Sequence, residues 1–243
     1  MKKLAIGVDI GGINTAFGLV DENGDLYAES VISTRKYPHV DDYPAYVEEL
    51  CDAMRAMAQS LSFEYELAGI GIGEMIYGHD GFAGEFGHVI VERDGRECGC
   101  GRKGCLETYV SATGIKRTAF ELMAKMNAPS KLRGIAFEDF EASMISAAAE
   151  QGDPIALEAF RFTGEMLGRA LADVVTVTSP EAIFLFGGLS KAGKLLFDPT
   201  QWYMEENMLF VFKNKVKLLP SGIQGKNAAI LGASALIWQE AAK

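Results

Sequence analysis

One imidazole and three thiols lie close together in the stretch "GHVIVERDGRECGCGRKGC", with the spacing His-x9-Cys-x-Cys-x4-Cys. They belong to His88, Cys98, Cys100 and Cys105. Three thiolates and one imidazole complete the tetrahedral shell of Zn²⁺ and leave no open position, which is typical of a structural site. The glycines between the thiols let the backbone fold tightly around an ion. A group of buried or redox-active thiols is the alternative, and the pattern favours structural zinc.

Two carboxylates flank these ligands in the sequence. Glu85 stands three residues before His88 in "GFAGEFGH", and Glu107 stands two residues after Cys105 in "GCLE". Metal binding by His88 and Cys105 would hold the neighbouring side chains in fixed orientations. Two carboxylates and an imidazole that face one spot suit the hydroxyls of a sugar. We therefore predict Glu85, His88 and Glu107 as substrate-binding residues; the alternative is that both carboxylates point into solvent.

Two apolar segments end in Gly-Gly turns far apart in the chain. The first, "DIGG", offers the backbone N–H groups of Gly11 and Gly12 to phosphate and the carboxylate of Asp9 to Mg²⁺. The second, "FLFGGLS", contains Gly187 and Gly188 and could hold a nucleotide base or ribose. Each turn is a weak signal alone, and together they suit a nucleotide held between two lobes.

The composition limits the classes of protein to consider. The chain has 243 residues, 49% of them hydrophobic, which is enough for a sizeable core. A net charge of −10 argues against nucleic acid as a partner. We find neither the roughly 20-residue apolar run of a membrane span nor a signal peptide. Four cysteines, three of them within eight residues, suggest a reduced compartment, so we expect a cytoplasmic protein.

The elements that must position these residues follow from periodicity and turn signals. A strand, a hairpin around Glu22-Asn23-Gly24, a helix and a second strand come first. That second strand runs straight into the Gly-rich loop of Glu85, whereas a parallel strand is normally followed by a crossover helix. The rest is mostly helical. The predicted ranges are strands 4–12, 67–72, 181–186 and 214–220, and helices 41–60, 111–126, 137–153, 153–180 and 227–242.

In this order the segments resemble the ROK family (repressor, open reading frame, kinase), in particular its bacterial glucokinase-like sugar kinases. The resemblance rests on "GVDIGGINTAFGLVD", "GFAGEFGH" with "CGCGRKGCLE", "FLFGGLS" and "NAAILGASAL". It implies an α/β fold of the actin-like ATPase (ribonuclease H-like) type, in which ATP and sugar meet between two lobes. It also implies ATP- and magnesium-dependent phosphorylation of a hexose, glucose or a related sugar, in carbohydrate metabolism.

The resemblance assigns roles motif by motif. It places Glu85, His88 and Glu107 on the sugar, and His88 with the three cysteines on zinc. It places Gly11 and Gly12 beside the phosphates, and Gly187, Gly188 and Ser190 beside the adenosine. Family members commonly pair through the second lobe, so it implies a homodimer that binds a hexose and ATP. Family repressors carry a DNA-binding segment before the first strand, which here begins at residue 4.

The chain departs from the family pattern after Gly73. The family has there the rest of the first lobe, including an Asn-Asp-Ala-Asn stretch whose Asp is the general base, and a Gly-Thr-Gly phosphate loop. Neither motif occurs in this sequence. We therefore expect a shortened first lobe in residues 1–77 and a second lobe with the zinc loop in residues 78–243. A return of the closing helix to the first lobe is left open.

The missing segment has consequences for chemistry and for packing. No catalytic residue is assigned, because the general base is absent and nothing positions the nearby Asp80. Ile13 also replaces the usual threonine after Gly-Gly. We expect a hexose kinase that is inactive or severely impaired; the alternative is a non-catalytic, zinc-containing sugar-binding or assembly module. Ile70 and Ile72 of the second strand would lose the elements that normally cover them.

Overall fold

The computed structural model describes residues 1–10, 14–72, 79, 84–223 and 227–241. The chain divides into two compact units, Met1–Gly84 with Ile223–Lys243, and Glu85–Gly222. The expected boundary after residue 77 lies outside the described residues. The closing helix belongs to the first unit. None of the described helices is long and apolar enough to cross a bilayer.

The first unit is built on a four-stranded sheet with the order β3-β2-β1-β4. Strands β1, β2 and β3 are antiparallel neighbours, and β4 lies parallel to β1. The predicted hairpin turn is confirmed: Asp21 Oδ1 accepts hydrogen bonds from Asn23 N and Asp25 N, each at 3.0 Å. Gly24 has a φ of +78°, which favours glycine. The strands are β1 (Lys2–Ile10), β2 (Asn14–Val20), β3 (Leu26–Ser33) and β4 (Tyr65–Ile72).

A helix packs on each face of this sheet. On one face, α1 (Tyr43–Gln59) buries Tyr46, Leu50, Met54 and Met57 against large apolar side chains of β1 and β2. On the other face, α7 (Ala228–Ala241) lies against the glycine-rich sides of β1, β2 and β4. A Cβ atom at Gly7 would lie 2.0 Å from the carbonyl oxygen of Ile230. Gly7 of β1 and Gly69 of β4 therefore allow the close approach of α7.

The α1 face of the sheet is incompletely covered at β4. Leu67 and Ile70 pair in register with Leu4 and Ile6 of β1. Leu4 and Ile6 are 0% and 2% exposed, whereas Leu67 and Ile70 are 45% and 44% exposed. Within the described residues, no element covers these two β4 side chains completely. The side chain of Ile72 lies outside the described part of the chain.

The second unit is mainly helical. Its long helix α5 (Pro154–Thr178) starts as predicted, with Asp153 Oδ1 accepting hydrogen bonds from Ile155 N at 3.0 Å and Ala156 N at 3.2 Å. Strands β5 (Ala182–Leu185) and β6 (Lys217–Pro220) form a parallel pair. Phe184 remains 62% exposed. The other helices are α2 (Glu107–Val110), α3 (Ala112–Lys125), α4 (Ala142–Glu150) and α6 (Lys194–Asn207).

Two helices of this unit differ from the sequence-based prediction. The helix expected over 137–153 is wrong in its first part, because turns occupy 137–139 and α4 begins only at Ala142. Helix α6 forms over 194–207 with Pro199 inside it, where the sequence pattern predicts no helix. Close packing stabilises α6 against α5: a Cβ at Gly164 would lie 2.8 Å from Pro199 Cβ. Tertiary contacts thus outweigh the unfavourable local propensity of proline.

We expect Ile70→Ala to lower the free energy of unfolding much less than Ile6→Ala. The two side chains are register partners, but Ile6 is 2% and Ile70 is 44% exposed. Truncation of a buried isoleucine typically costs about 2–5 kcal/mol, whereas a half-exposed one leaves little cavity. Denaturant unfolding followed by circular dichroism would compare the two variants. Equal losses would show that Ile70 is covered in solution.

Candidate functional site

The four predicted metal ligands come together in the second unit. His88 ends a short 3-10 helix (Phe86–His88), and the three cysteines follow in one loop. One ligand atom from each residue lies within 4.8 Å of the others. Cys98 Sγ lies 3.6 Å from His88 Nδ1, and Cys100 Sγ lies 3.6 Å from Cys105 Sγ.

These separations fit the tetrahedral coordination of a metal ion. With Zn–S bonds of about 2.3 Å, the edge between two thiolates of a tetrahedral zinc site measures roughly 3.7 Å. Both observed edges are close to this value. Cys98 and Cys105 are buried and Cys100 is exposed. The donor set and its geometry therefore suit a closed Zn²⁺ site.

Backbone conformation explains how the cysteine loop, residues 95–105, closes on itself. Cys98 N donates to Arg102 O at 2.9 Å, and Gly104 N donates to Arg96 O at 2.8 Å. Gly104 has a φ of +78°, and a Cβ there would lie 1.7 Å from Glu92 O. Glycine is required at this position by its conformation and by the available space. The sequence "GRKGC" thus brings Cys105 back beside Cys98 and Cys100.

The environment changes the acidity of two thiols in opposite directions. Burial, together with the carboxylate of Glu107, raises the pKa of Cys98 to about 12. Hydrogen bonds from the backbone and guanidinium of Arg102 lower the pKa of Cys100 to about 6. Arg102 also donates from Nη2 to His88 O at 2.8 Å. Arg102 was not predicted from the sequence, because an arginine between Gly101 and Lys103 carries no signal of such a contact.

The predicted sugar-binding residues lie around the same imidazole. His88 Nε2 is 3.8 Å from Glu85 Oε2, and His88 Nδ1 is 3.9 Å from Glu107 Oε1. Glu107 Oε1 also lies 2.9 Å from Cys98 Sγ. The side chains of Glu85 and Glu107 are 69% and 44% exposed, so both remain accessible to a ligand from solvent. Acceptors and an imidazole thus share one open surface.

A cavity of about 650 Å³ lies beside the second Gly-Gly turn. Gly188 and Lys191 line it from the turn, Lys116 from α3, and Ser146 and Glu150 from α4. Next to it, Gly187 has a φ of +106°, and its carbonyl accepts a hydrogen bond from Ser190 Oγ at 2.8 Å. Sequence reasoning missed the two lysines, since they stand on separate elements that only the fold brings together.

The first Gly-Gly turn is described in part. Asp9 lies near the end of β1, where it pairs in register with Ala16 of β2. Partial removal of water raises the pKa of its carboxyl above the usual 3.8, although the residue keeps contact with solvent. Gly11 and Gly12, the predicted phosphate-binding residues, lie outside the described residues, as do Ile13 and Asp80.

The family model described as "ROK family" matches residues 67–240, which is more than half of the chain. The chain belongs to the ROK family. The match includes the cysteine loop, Glu85, Glu107 and the second Gly-Gly turn.

Individual ROK proteins support this placement. The glucokinase of Thermotoga maritima is 35% identical over 167 residues, which cover 68% of this chain and 52% of that protein. This chain therefore spans about half the length of that relative. The glucokinase of Streptomyces coelicolor is 26% identical over 282 residues, covering 81% of this chain and 85% of that protein. Since 282 positions exceed the 243 residues of the chain, this match includes residues that the chain lacks.

A solved structure identifies the fold of this ROK protein. The ROK glucokinase from Streptomyces griseus, in complex with glucose and AMPPNP, superimposes with a TM-score of 0.75 at 24% identity. The superposition covers 97% of this chain and 99% of that chain. The predicted actin-like ATPase fold is thereby confirmed.

We expect Asp9→Asn to raise the thermal unfolding midpoint near neutral pH. A carboxyl whose pKa is raised in the folded state opposes folding once it is ionised, above that raised pKa. The neutral amide avoids this cost. The gain should shrink as the pH falls towards 3.8, below which Asp9 is protonated in both folded and unfolded chains. Scanning calorimetry from neutral pH down to pH 3.8 tests this prediction, with Asp139→Asn at an exposed position as the control. A higher unfolding midpoint that persists in acid would contradict it.

Proposed function

We propose that this ROK protein binds a hexose, glucose or a related sugar, at Glu85, His88 and Glu107, and holds a structural Zn²⁺ beside it. The observation that carries the proposal is the position of the two ring nitrogens of His88. Its Nδ1 lies 3.6 Å from Cys98 Sγ, and its Nε2 lies 3.8 Å from Glu85 Oε2. One nitrogen thus suits the metal, while the other faces the carboxylate of Glu85, one of the two proposed sugar-binding carboxylates.

The chemistry of the side chains agrees with a polyhydroxylated ligand. The carboxylates of Glu85 and Glu107 are acceptors for sugar hydroxyls, and hydrogen bonds to charged groups are stronger than neutral ones. His88, Cys98, Cys100 and Cys105 would hold the Zn²⁺, whose role in a closed site is to fix the loop. Glu107 starts α2 two residues after Cys105, so the same loop also orients this carboxylate.

ATP and Mg²⁺ are the proposed co-substrate and cofactor, by descent from ROK sugar kinases. In the second unit, Gly187, Gly188 and Ser190 would lie by the adenosine, beside the cavity that Lys116 and Lys191 line. In the first unit, Asp9 would serve Mg²⁺, and Gly11 and Gly12 the phosphates. We also propose a homodimer that has no nucleic-acid or membrane partner.

Turnover of this chain is proposed to be absent or severely impaired. A positioned general base contributes typically about 10²–10⁴-fold, and the sequence lacks the family's Asn-Asp-Ala-Asn motif. Without the Gly-Thr-Gly loop, it also lacks donors for the charge on the transferring phosphoryl group. The same absences favour a second candidate function, a non-catalytic zinc-containing sugar-binding or assembly module.

We predict about one tightly bound zinc per chain, because a complete set of three thiolates and one imidazole forms a closed site. Elemental analysis of folded, reduced, chelator-washed protein measures it. Cys105→Ser should lose the metal. Cys51→Ser, which alters a half-buried thiol of α1, should retain it. Zinc-free wild-type protein, or equal metal in both variants, would refute the site.

We predict glucose binding without appreciable phosphorylation. In a coupled assay with Mg-ATP, turnover should fall at least about 10²-fold below the roughly 10 s⁻¹ of a median enzyme. Calorimetry should still detect glucose binding, weakened about tenfold or more by Glu107→Gln, which removes a charged acceptor. Glu97→Gln, an exposed carboxylate of the cysteine loop, is the matched control.

The results separate the candidate functions. Ordinary hexokinase turnover would show that another group replaces the missing base. Glucose binding without turnover supports the sugar-binding reading. Neither binding nor turnover, in zinc-loaded protein, would leave only the assembly module, which size-exclusion chromatography with light scattering would test.

A further inference from the structure

Arg96 is the most highly connected side chain of the cysteine loop, although no sequence motif singles it out. It stands two residues before Cys98, and its side chain is 10% exposed. The other arginines of this stretch, Arg93 and Arg102, are exposed residues. The guanidinium of Arg96 points from the loop into the start of the helical part of the unit.

All five N–H donors of this guanidinium have an acceptor. Nε and Nη2 bind the two carboxylate oxygens of Glu121 at 3.0 and 2.9 Å. Nη1 donates to Thr108 O at 2.7 Å and to Gly114 O at 3.1 Å, and Nη2 donates to Thr118 Oγ1 at 2.9 Å. The ring of Tyr109 lies 4.5 Å from the guanidinium carbon. A planar fork with five matched donors cannot be reproduced by lysine.

The acceptors of Arg96 belong to the segment that carries Glu107. Thr108 follows Glu107 directly in α2, and the other acceptors lie on α3. The backbone of Arg96 completes the connection, because its N–H donates to Tyr109 Oη at 3.0 Å and its carbonyl accepts from Gly104 N at 2.8 Å. Gly104 precedes Cys105. One residue therefore joins both arms of the cysteine loop to α2 and α3.

We propose that Arg96 is a positioning residue, which fixes the thiols of Cys98 and Cys100 relative to Cys105 and to the carboxylate of Glu107. It touches none of the four metal ligands through its guanidinium and acts through the backbone of the loop. A loop held in its binding geometry before the ion arrives loses less conformational entropy on binding. Arg96 should therefore set the affinity of the site. This inference rests on the proposed metal site.

The test is the zinc affinity of Arg96→Lys, compared with Arg93→Lys as a matched change at an exposed position of the same stretch. Zn²⁺ competition against a chromophoric chelator, well below the unfolding midpoint of each variant, gives the dissociation constant of folded protein. We expect Arg96→Lys to weaken Zn²⁺ binding about 10–100-fold, the usual range for residues that hold metal ligands in place. Arg93→Lys should match the wild type.

A purely structural role predicts a different result. In that case Arg96→Lys would lower the unfolding midpoint and leave the zinc dissociation constant of the folded protein within about twofold of the Arg93→Lys value, which would overturn the proposal. If Arg96→Lys does not fold, the zinc affinity of Glu121→Gln provides the test. Glu138→Gln, at an exposed position, is its matched control. Loss of the carboxylate that accepts two hydrogen bonds from Arg96 should weaken Zn²⁺ binding severalfold. An unchanged zinc affinity would overturn the proposal.

A second measurement separates this inference from the proposed function. Glucose binding to zinc-saturated Arg96→Lys should be weaker than to zinc-saturated wild type, because Glu107 loses its fixed position. If the wild type binds zinc but no glucose, the sugar-binding proposal fails, and the zinc affinities still decide the role of Arg96. If the wild type binds no zinc, the metal-site proposal and the positioning role both fail.

Discussion

The candidate site depends on the different surroundings of the two ring nitrogens of His88: Nδ1 lies beside Cys98 and Nε2 lies beside Glu85. When the metal takes Nδ1 of His88, beside Cys98, the proton of the neutral ring must reside on Nε2. That nitrogen then becomes a fixed donor on the side of Glu85. A Zn²⁺ ion bound there would therefore determine the tautomer and the orientation of a group that faces the proposed sugar site. In the proposed site, the thiols would influence sugar binding without touching the sugar.

Each unit also contains a strand with an uncovered apolar side chain. Ile70 of β4 and Phe184 of β5 keep 44% and 62% of their surface exposed, although both belong to parallel strand pairs. Parallel sheets are ordinarily covered on both faces. A relative such as the Streptomyces coelicolor glucokinase has residues that this chain lacks. A deletion after Gly73 would account for the exposed face of β4, because the elements lost there would have followed this strand in the chain.

Local patterns predicted the cluster of His88 and the three cysteines better than they predicted the helices around it. The spacing of His88 and the cysteines limits the donor set to one cluster, and the structure brings these four residues within 4.8 Å. The hairpin and the start of α5 were likewise predictable, since Asn-Gly and Asp-Pro act within a few residues. Helix α6 was not, because Pro199 opposes it locally and its stability comes from contact with Gly164 of α5. Arg96 was missed for the same reason, since its acceptors come from residues 12 to 25 positions away.

Binding and turnover make different demands on the chain, which explains how one could persist without the other. The proposed hexose contacts lie between Glu85 and Glu107, in one segment that the metal ligands and Arg96 hold together. Phosphoryl transfer additionally needs a base at the sugar hydroxyl and donors at the phosphates, supplied by other segments. Removing those segments would raise the barrier to reaction, whereas the proposed contacts of Glu85, His88 and Glu107 with the sugar would remain. The proposed sugar site would thus survive such a deletion, because the contacts that support it are local.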